Sequence, residues 1–389
     1  MRVIRINLVT LILLAAIRPA PAQTETVLYS FGVSPDGQVP YSGLIIDKSG
    51  NLYGTTESGG THGFGTVFEV TPSTEAETVL YSFLGSQSGD GAYPYAGLVM
   101  DAAGSLYGTT NGGGANSVGT VFKLSPAKTE RILHSFSQSS DGYAPFYASL
   151  AIDAKGNLYG TTGAGGTNFV GTAFKVRPTG AESLLYSFCS QGNCTDGLSP
   201  DAGLIDKKGN FYGTTAGGGA NASGTVFELT STGTETVLYS FNSAVEGYTP
   251  LAGLIMDKQG NLYGTTNVGG THGFGTVFEV NPSTGTETVL YNFGSQTGDG
   301  QNPQYCGLVM DARGNLYGTT TYGGAHGFGT VFRLKPSTGT ETVLYSFGSQ
   351  TGDGHFPWAG LVIDSMGNLY GTTEAGGANS FGAVFKVTP

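Results

Sequence analysis

Charge is scarce in this chain. Only 12% of its 389 residues are Asp, Glu, Lys or Arg, and the balance is acidic, a formal −11 at neutral pH. Phosphate contacts need clustered Lys and Arg, so a nucleic-acid partner is excluded. Cysteine is limited to three residues and tryptophan to one, too little cysteine for a scaffold built on disulfides. No stretch sustains an apolar period of 3.6 residues, so helices are not expected. Catalytic wording is missing too, with no Gly-x-Ser-x-Gly, no His-Glu-x-x-His and no phosphate loop. Nor is there an Asp-x-Asp-x-Asp-Gly calcium loop, and the expectation is no metal and no cofactor.

Glycine, by contrast, is abundant, at 66 residues and without a collagen-like period of three. Tyr and Phe, 21 and 22 in number, supply material for a core and argue against disorder.

Met1 to Ala22 reads as a secretory leader. Arg2 and Arg5 form a basic start, Ile6 to Ile17 an apolar stretch too short to span a bilayer, and Ala20-Pro21-Ala22 a small-residue cleavage site. The expectation is a signal peptide over 1–22 and a single repeat domain over 23–389, secreted to the extracellular space or periplasm with no membrane span left. Cleavage removes three arginines and no acid, taking the charge from −11 to −14. Cys189 and Cys194 share a short loop and are the candidate disulfide. Cys306 stands where other copies of the repeat have Ala, which suits a small buried thiol.

The organising words are Gly-Asn-Leu-Tyr-Gly-Thr-Thr at Gly50–Thr56. Tyr-Gly returns at Tyr53, Tyr107, Tyr159, Tyr212, Tyr263, Tyr317 and Tyr370, at steps of 54, 52, 53, 51, 54 and 53 residues. A period near fifty marks a repeat architecture. Each copy holds four short runs rich in Val, Leu, Tyr, Phe and Thr, separated by Gly, Asp, Asn and Pro. In the second copy they are Ala96–Asp101, Ser105–Thr110, Gly119–Leu124 and Glu130–Phe136. Between the first two lies a tight Asp-x-x-Gly-Asn hairpin, with Gly at the position that requires positive φ.

Four antiparallel strands repeated seven times predict an all-β fold, a seven-bladed β-propeller. The phase follows from the ends. The chain after the leader opens on a fourth run, Thr26–Phe31, and closes on a third, Gly382–Val387. Pairing them gives a one-plus-three closure that removes two exposed edges, with the Ala-Gly-Leu run innermost.

Laid end to end, the words Asp-Gly-x-x-Pro, Ala-Gly-Leu, Asp-x-x-Gly-Asn-Leu-Tyr-Gly-Thr-Thr, Gly-Gly, Gly-Thr-Val-Phe and Thr-Val-Leu-Tyr-Ser-Phe resemble the GloVer tandem repeat. The resemblance covers Glu25 to Pro389. It implies a bacterial exported protein of the kind described as "choice-of-anchor", whose repeats are followed by varied sorting tails. It implies no activity and no catalytic residues, and the chain departs from the pattern in showing no hydrophobic or basic tail before Pro389. A weaker likeness is to the NHL-type propeller.

With this phase, the Asp-Gly-x-x-Pro loops and the Gly-Gly loops share one face, the mouth of the central channel. An acid precedes Gly in every copy (Asp36, Asp90, Asp141, Asp196, Glu246, Asp299, Asp353), either as a carboxylate ring or as plain turn chemistry. The residue before Ala-Gly-Leu, or its equivalent in each copy, is Tyr41, Tyr95, Tyr147, Asp201, Leu251, Tyr305 and Trp358 in turn. Five of the seven are aromatic, either walls for a flat ligand or packing between blades, and Asp201 and Leu251 break the ring. His62, His272 and His326 alternate with Asn116, Asn168, Asn221 and Asn379, which points to hydrogen bonding rather than metal ligation. The candidate ligand-binding residues are Asp353, His355, Trp358, Tyr41, Tyr95, Asp201 and Tyr305; no catalytic residues are assigned. The favoured function is a monomeric extracellular binding or scaffold module for a glycan or another cell-surface protein. The alternative is an extracellular carbohydrate-active enzyme, a lyase or glycoside hydrolase, an analogy drawn from fold.

Overall fold

The computed structural model describes residues 24–137, 141–242 and 245–389, so the leader assigned to 1–22 lies outside the described residues. Seven four-stranded antiparallel sheets form the blades of a propeller. Blade 1 runs from the hub outwards through Ile45–Ile46, Leu52–Thr56, Thr66–Thr71 and Ala76–Ser82. Blades 2 to 6 repeat this order. Blade 7 takes its inner three strands, Val362–Ile363, Leu369–Thr373 and Ala383–Thr388, from the C-terminal part of the chain. Its outermost strand is Thr24–Ser30, paired antiparallel to Ala383–Thr388. The one-plus-three closure is present.

The words of the repeat have separate tasks. In six of the seven Tyr-Gly-Thr-Thr copies the Tyr hydroxyl reaches back to the hairpin Asp, as Tyr107 donates to Asp101 at 2.9 Å; in blade 4 Tyr212 donates to Glu228 instead. Glycine follows because there is no room for a side chain: a Cβ at Gly54 would sit 2.6 Å from Phe68 Cζ and 2.9 Å from Leu44 Cδ2. The first Thr stitches each blade to the next, as Thr161 Oγ1 donates to Ala202 O at 2.9 Å and Thr319 Oγ1 to Ala359 O at 2.8 Å. Thr372 Oγ1 to Ser42 O, 2.8 Å, continues the stitch across the closure. The second Thr meets a Thr of the third strand, as Thr56 meets Thr66 at 2.8 Å. In blade 7 that partner is Ala383, which leaves Thr373 Oγ1 buried without one.

Between blades, the Phe ending each outer strand stands edge-on to a Phe of the next blade's third strand. All seven pairs, from Phe83–Phe122 to the closing Phe31–Phe68, have centroids 5.0 to 5.2 Å apart. Edge-on rings of this kind are worth about 0.5–1.5 kcal/mol beyond their burial. The core is therefore seven inter-blade wedges rather than one central mass.

The innermost strands are shorter than the sequence predicts, two residues (Val99–Met100) where Ala96–Asp101 is expected. At the hub the carbonyls of Pro94 and Ala96 accept from Thr55 of the preceding blade instead of from a strand ladder. Cys306, at the corresponding Ala position in blade 6, is fully buried with its thiol toward Pro357 O. Cys189 and Cys194 are joined, their Cα atoms 4.0 Å apart.

Candidate functional site: the mouth of the channel

The Asp-Gly and Gly-Gly loops do share a face, because they are zipped together. Gly37–Gln38 pairs with Ser58–Gly59, Gly354–His355 with Ala375–Gly376, and the other copies pair likewise or through single bridges.

The seven acids of the Asp-Gly loops do not form a ring at the mouth. Each is turned outward into the seam between two blades. Asp90 accepts from Tyr81 OH at 2.9 Å, from Leu84 N at 2.7 Å and from Gly91 N at 2.6 Å. His134 substitutes for the Tyr in one copy, with Nε2 2.9 Å from Asp141. Asp353 follows the same pattern, 2% exposed and held by Tyr345 OH and the amides of Gly348 and Ser349. His355 stacks on Phe328, centroids 4.1 Å apart. These two candidates are therefore not beside Trp358 at the channel: backbone donors at a tight turn attract the carboxylate, and an aromatic face holds the imidazole.

Each seam contains a further acid that the sequence reading passed over. Glu25, Glu77, Glu130, Glu182, Glu235, Glu287 and Glu341 lie in the outer strands, and each has a buried carboxylate oxygen without a hydrogen-bond partner. Burial and then the nearby Asp-Gly acid push six of them up to about 7 and Glu341 to about 8. The signal was present in the sequence as a Glu at the start of the fourth run in all seven copies.

The aromatic candidates, by contrast, do converge. Tyr41 lies 5.5 Å from both Tyr95 and Trp358, and Trp358 lies 5.9 Å from Tyr305. Tyr147 packs 5.6 Å from Tyr95 and stacks on Tyr305 at 3.7 Å. The Tyr147–Tyr305 stack joins blades 3 and 6. It is possible because the intervening positions carry Asp201 and Leu251 rather than aromatic rings. The five rings thus bridge the mouth, over a channel cavity of about 250 Å³ walled by the hub strands. Trp358 Nε1 is buried there without a partner.

Three carboxylates border these rings. Glu57 accepts from Tyr95 OH at 2.6 Å and Glu374 from Tyr41 OH at 2.9 Å. Both follow Thr-Thr, a place held by Asn111, Gly163, Ala216, Asn267 and Thr321 in the other copies; that variation was the legible hint. Asp201 leans over Gly163 of the preceding blade and helps line a pocket of about 440 Å³ with Phe146, Tyr147, Ala164, Ser199 and Tyr305. Burial alone pushes its carboxyl up to about 6. Among the described residues no group of three or more His, Cys, Asp or Glu converges as a metal-ligand set.

Fold and site together define a seven-bladed propeller with a closed hub, a uniform periphery and one irregular aromatic mouth. The chain belongs to the Gloeobacter/Verrucomicrobia repeat family, whose model matches residues 15–205, 147–305 and 199–389 in succession. No curated protein matches it in sequence. Among solved structures it is similar to an oligogalacturonate lyase in complex with manganese, at TM-score 0.57 and 12% identity, over 94% of this chain and 96% of that one. It is also similar to a putative 6-phosphogluconolactonase from Bacteroides uniformis, at TM-score 0.49 and 15% identity over 78% and 83% of the two chains. A chain of a nidogen/laminin complex matches at TM-score 0.45 and 16% identity, over 72% and 89%. At such identities the likeness concerns the propeller fold alone. Among the described residues no helix is long and apolar enough to cross a membrane.

Proposed function

We propose that this propeller is an exported binding module, working in the extracellular space or periplasm, whose ligand docks at the aromatic mouth. The observation that carries this reading is the uneven surface. The exposed aromatic rings, Tyr93, Phe146, Phe169, Tyr248, Phe274 and Tyr322, all belong to the loops of the mouth face. Exposed apolar rings gathered on one face mark an interaction site, and here they surround five more rings and three carboxylates. The Cys189–Cys194 pair suits an oxidising compartment. A carbohydrate-active enzyme is the weaker reading: the Asp-Gly acids are taken up in the seams, Asp353 is held by Tyr345 and His355 by Phe328. Of the three carboxylates at the mouth, Glu57 and Glu374 are each tied to a tyrosine hydroxyl.

The test is a thermal-shift screen of the mature chain against glycans, amines and inorganic cations, repeated with Trp358→Ala and Tyr147→Ala. A ligand bound to the folded state raises the melting temperature by mass action. The expected result is a shift in the parent protein that disappears in both variants while they remain folded. A shift that survives both substitutions places the site elsewhere and overturns the proposal.

A further inference from the structure

The carboxylates of the mouth face fall into two groups. The seven in the seams are wrapped by Tyr or His side chains and backbone amides, for example Asp196 by Tyr186 OH, Ser190 N and Gln191 N. Glu57, Glu374 and Asp201 are not. The first two are each paired with a single tyrosine hydroxyl. Asp201 is half-buried, and among the described residues its carboxylate has neither a hydrogen bond nor a charged partner.

Nor, among the described residues, is there a cation in the mouth loops to neutralise them. Beyond the leader the chain has fourteen Lys and Arg, and none falls in the loops that build the mouth, residues 31–44 and 57–65 and their counterparts in the other copies. Lys48, Lys155, Lys258 and Arg313 are in the hairpins at the far end of the inner strands. Others lie along the blades: Lys123 is 5.1 Å above the Tyr107 ring and Lys175 5.2 Å above Tyr159.

We propose that the mouth binds an organic ammonium group, with Asp201 as counter-ion and Tyr147, Tyr305 and Phe146 as the aromatic wall. This rests on the mouth being the binding site and adds the class of ligand. A cation is attracted to the face of an aromatic ring, more strongly where water is displaced. A half-buried carboxylate in a pocket walled by aromatic rings, with no donor from the protein, is stabilised when a charge of opposite sign arrives. Glu57 and Glu374, beyond Tyr147, add to a negative field that repels anionic ligands. A neutral sugar gives Asp201 no compensating charge. The ammonium group is carried either by a small amine or by a lysine side chain of a protein partner.

The groups facing Asp201 are Tyr147 and Tyr305, with Glu57 and Glu374 acting on Tyr147 from the other side. With its carboxyl near 6, Asp201 is largely neutral at pH 5 and ionised at pH 8, so affinity for a cation rises about tenfold between the two.

Calorimetric titration of the intact mature protein tests this, with tetramethylammonium, a capped lysine peptide and tert-butanol as the neutral probe of similar shape. An ammonium probe is expected to bind at least about tenfold more tightly than tert-butanol. That affinity should fall about tenfold in Asp201→Asn, with the melting curve retained, and by a similar factor from pH 8 to pH 5. The tighter of the two ammonium probes identifies the source. Equal binding of tert-butanol, unchanged affinity in a folded Asp201→Asn, or no binding of either ammonium probe overturns the inference. A neutral glycan whose binding is lost in Trp358→Ala also overturns it, yet leaves the mouth as the site. A ligand indifferent to every mouth substitution overturns both.

Discussion

The seams and the mouth use the same repeat in opposite ways. In a seam, every copy supplies the same parts: an outer-strand Tyr or His, an Asp-Gly acid, a half-buried or buried Glu and an edge-on Phe pair. At the mouth, the position before Ala-Gly-Leu changes from Tyr to Asp to Leu to Trp, and the position after Thr-Thr from Glu to Asn to Gly. The seams repeat because each must solve the same packing problem, two sheets meeting at the same angle seven times. A binding site needs unlike groups side by side, so the mouth is where copies can differ without opening a wedge. Identity among copies thus marks structure, and difference among them marks the candidate site.

The largest effect should come from removing one side of a seam altogether. Deleting residues 24–30 leaves blade 7 with three strands and the closing Phe31–Phe68 wedge without its anchor. The expected outcome is loss of a single cooperative melting transition and aggregation through the exposed edge of Ala383–Thr388. A monomeric variant with an unchanged melting temperature would show the closure to be dispensable. Next in size is Phe122→Ala, which empties one wedge and should cost about 3–5 kcal/mol in denaturant unfolding. The corresponding mouth substitution, Trp358→Ala, should cost clearly less. Equal costs would erase the distinction between seam and mouth.

The third prediction concerns pH. The seam glutamates have folded-state values near 7, above the ordinary 4.5. A carboxyl raised on folding holds its proton more tightly in the native state. Its stabilising contribution is therefore complete below about 4.5 and lost as pH rises through about 7. The hairpin acids Asp101, Asp153, Asp257, Asp311 and Asp364 act in the other direction. Burial works against their ionisation, but hydrogen bonds from neighbouring amides and side chains outweigh it and hold them below the usual range. Their contribution is lost only as pH falls through that lower range. The melting temperature should thus be higher near pH 5 than near pH 8, and Glu77→Gln should flatten that slope. A melting temperature that climbs steadily from pH 5 to pH 8 would mean that the seam glutamates are ionised at little cost. The smallest effect belongs to Cys189→Ser, where opening so short a ring should cost about 2 kcal/mol or less.

Seven copies, four strands each, and the closure by the first run, read as Thr26–Phe31 and found as Thr24–Ser30, were legible in the sequence, because each depends on local pattern. Alternation and turn residues set the strands, the Tyr-Gly spacing counts the blades, and the order of the runs at the two ends sets the phase. The Asp-Gly turns were legible for the same reason, since their backbone amides lie within a few residues of the carboxylate. Only the tertiary structure decided where those carboxylates point and which side chains meet across the hub. Asp353 and Trp358 are five residues apart, but a short turn directs one into the seam and the other over the channel. Tyr147 and Tyr305 are far apart in sequence, yet they stack because blades 4 and 5 present Asp201 and Leu251 instead of rings between them. Residues on different blades meet only once the ring has closed, and no period along the chain encodes that meeting.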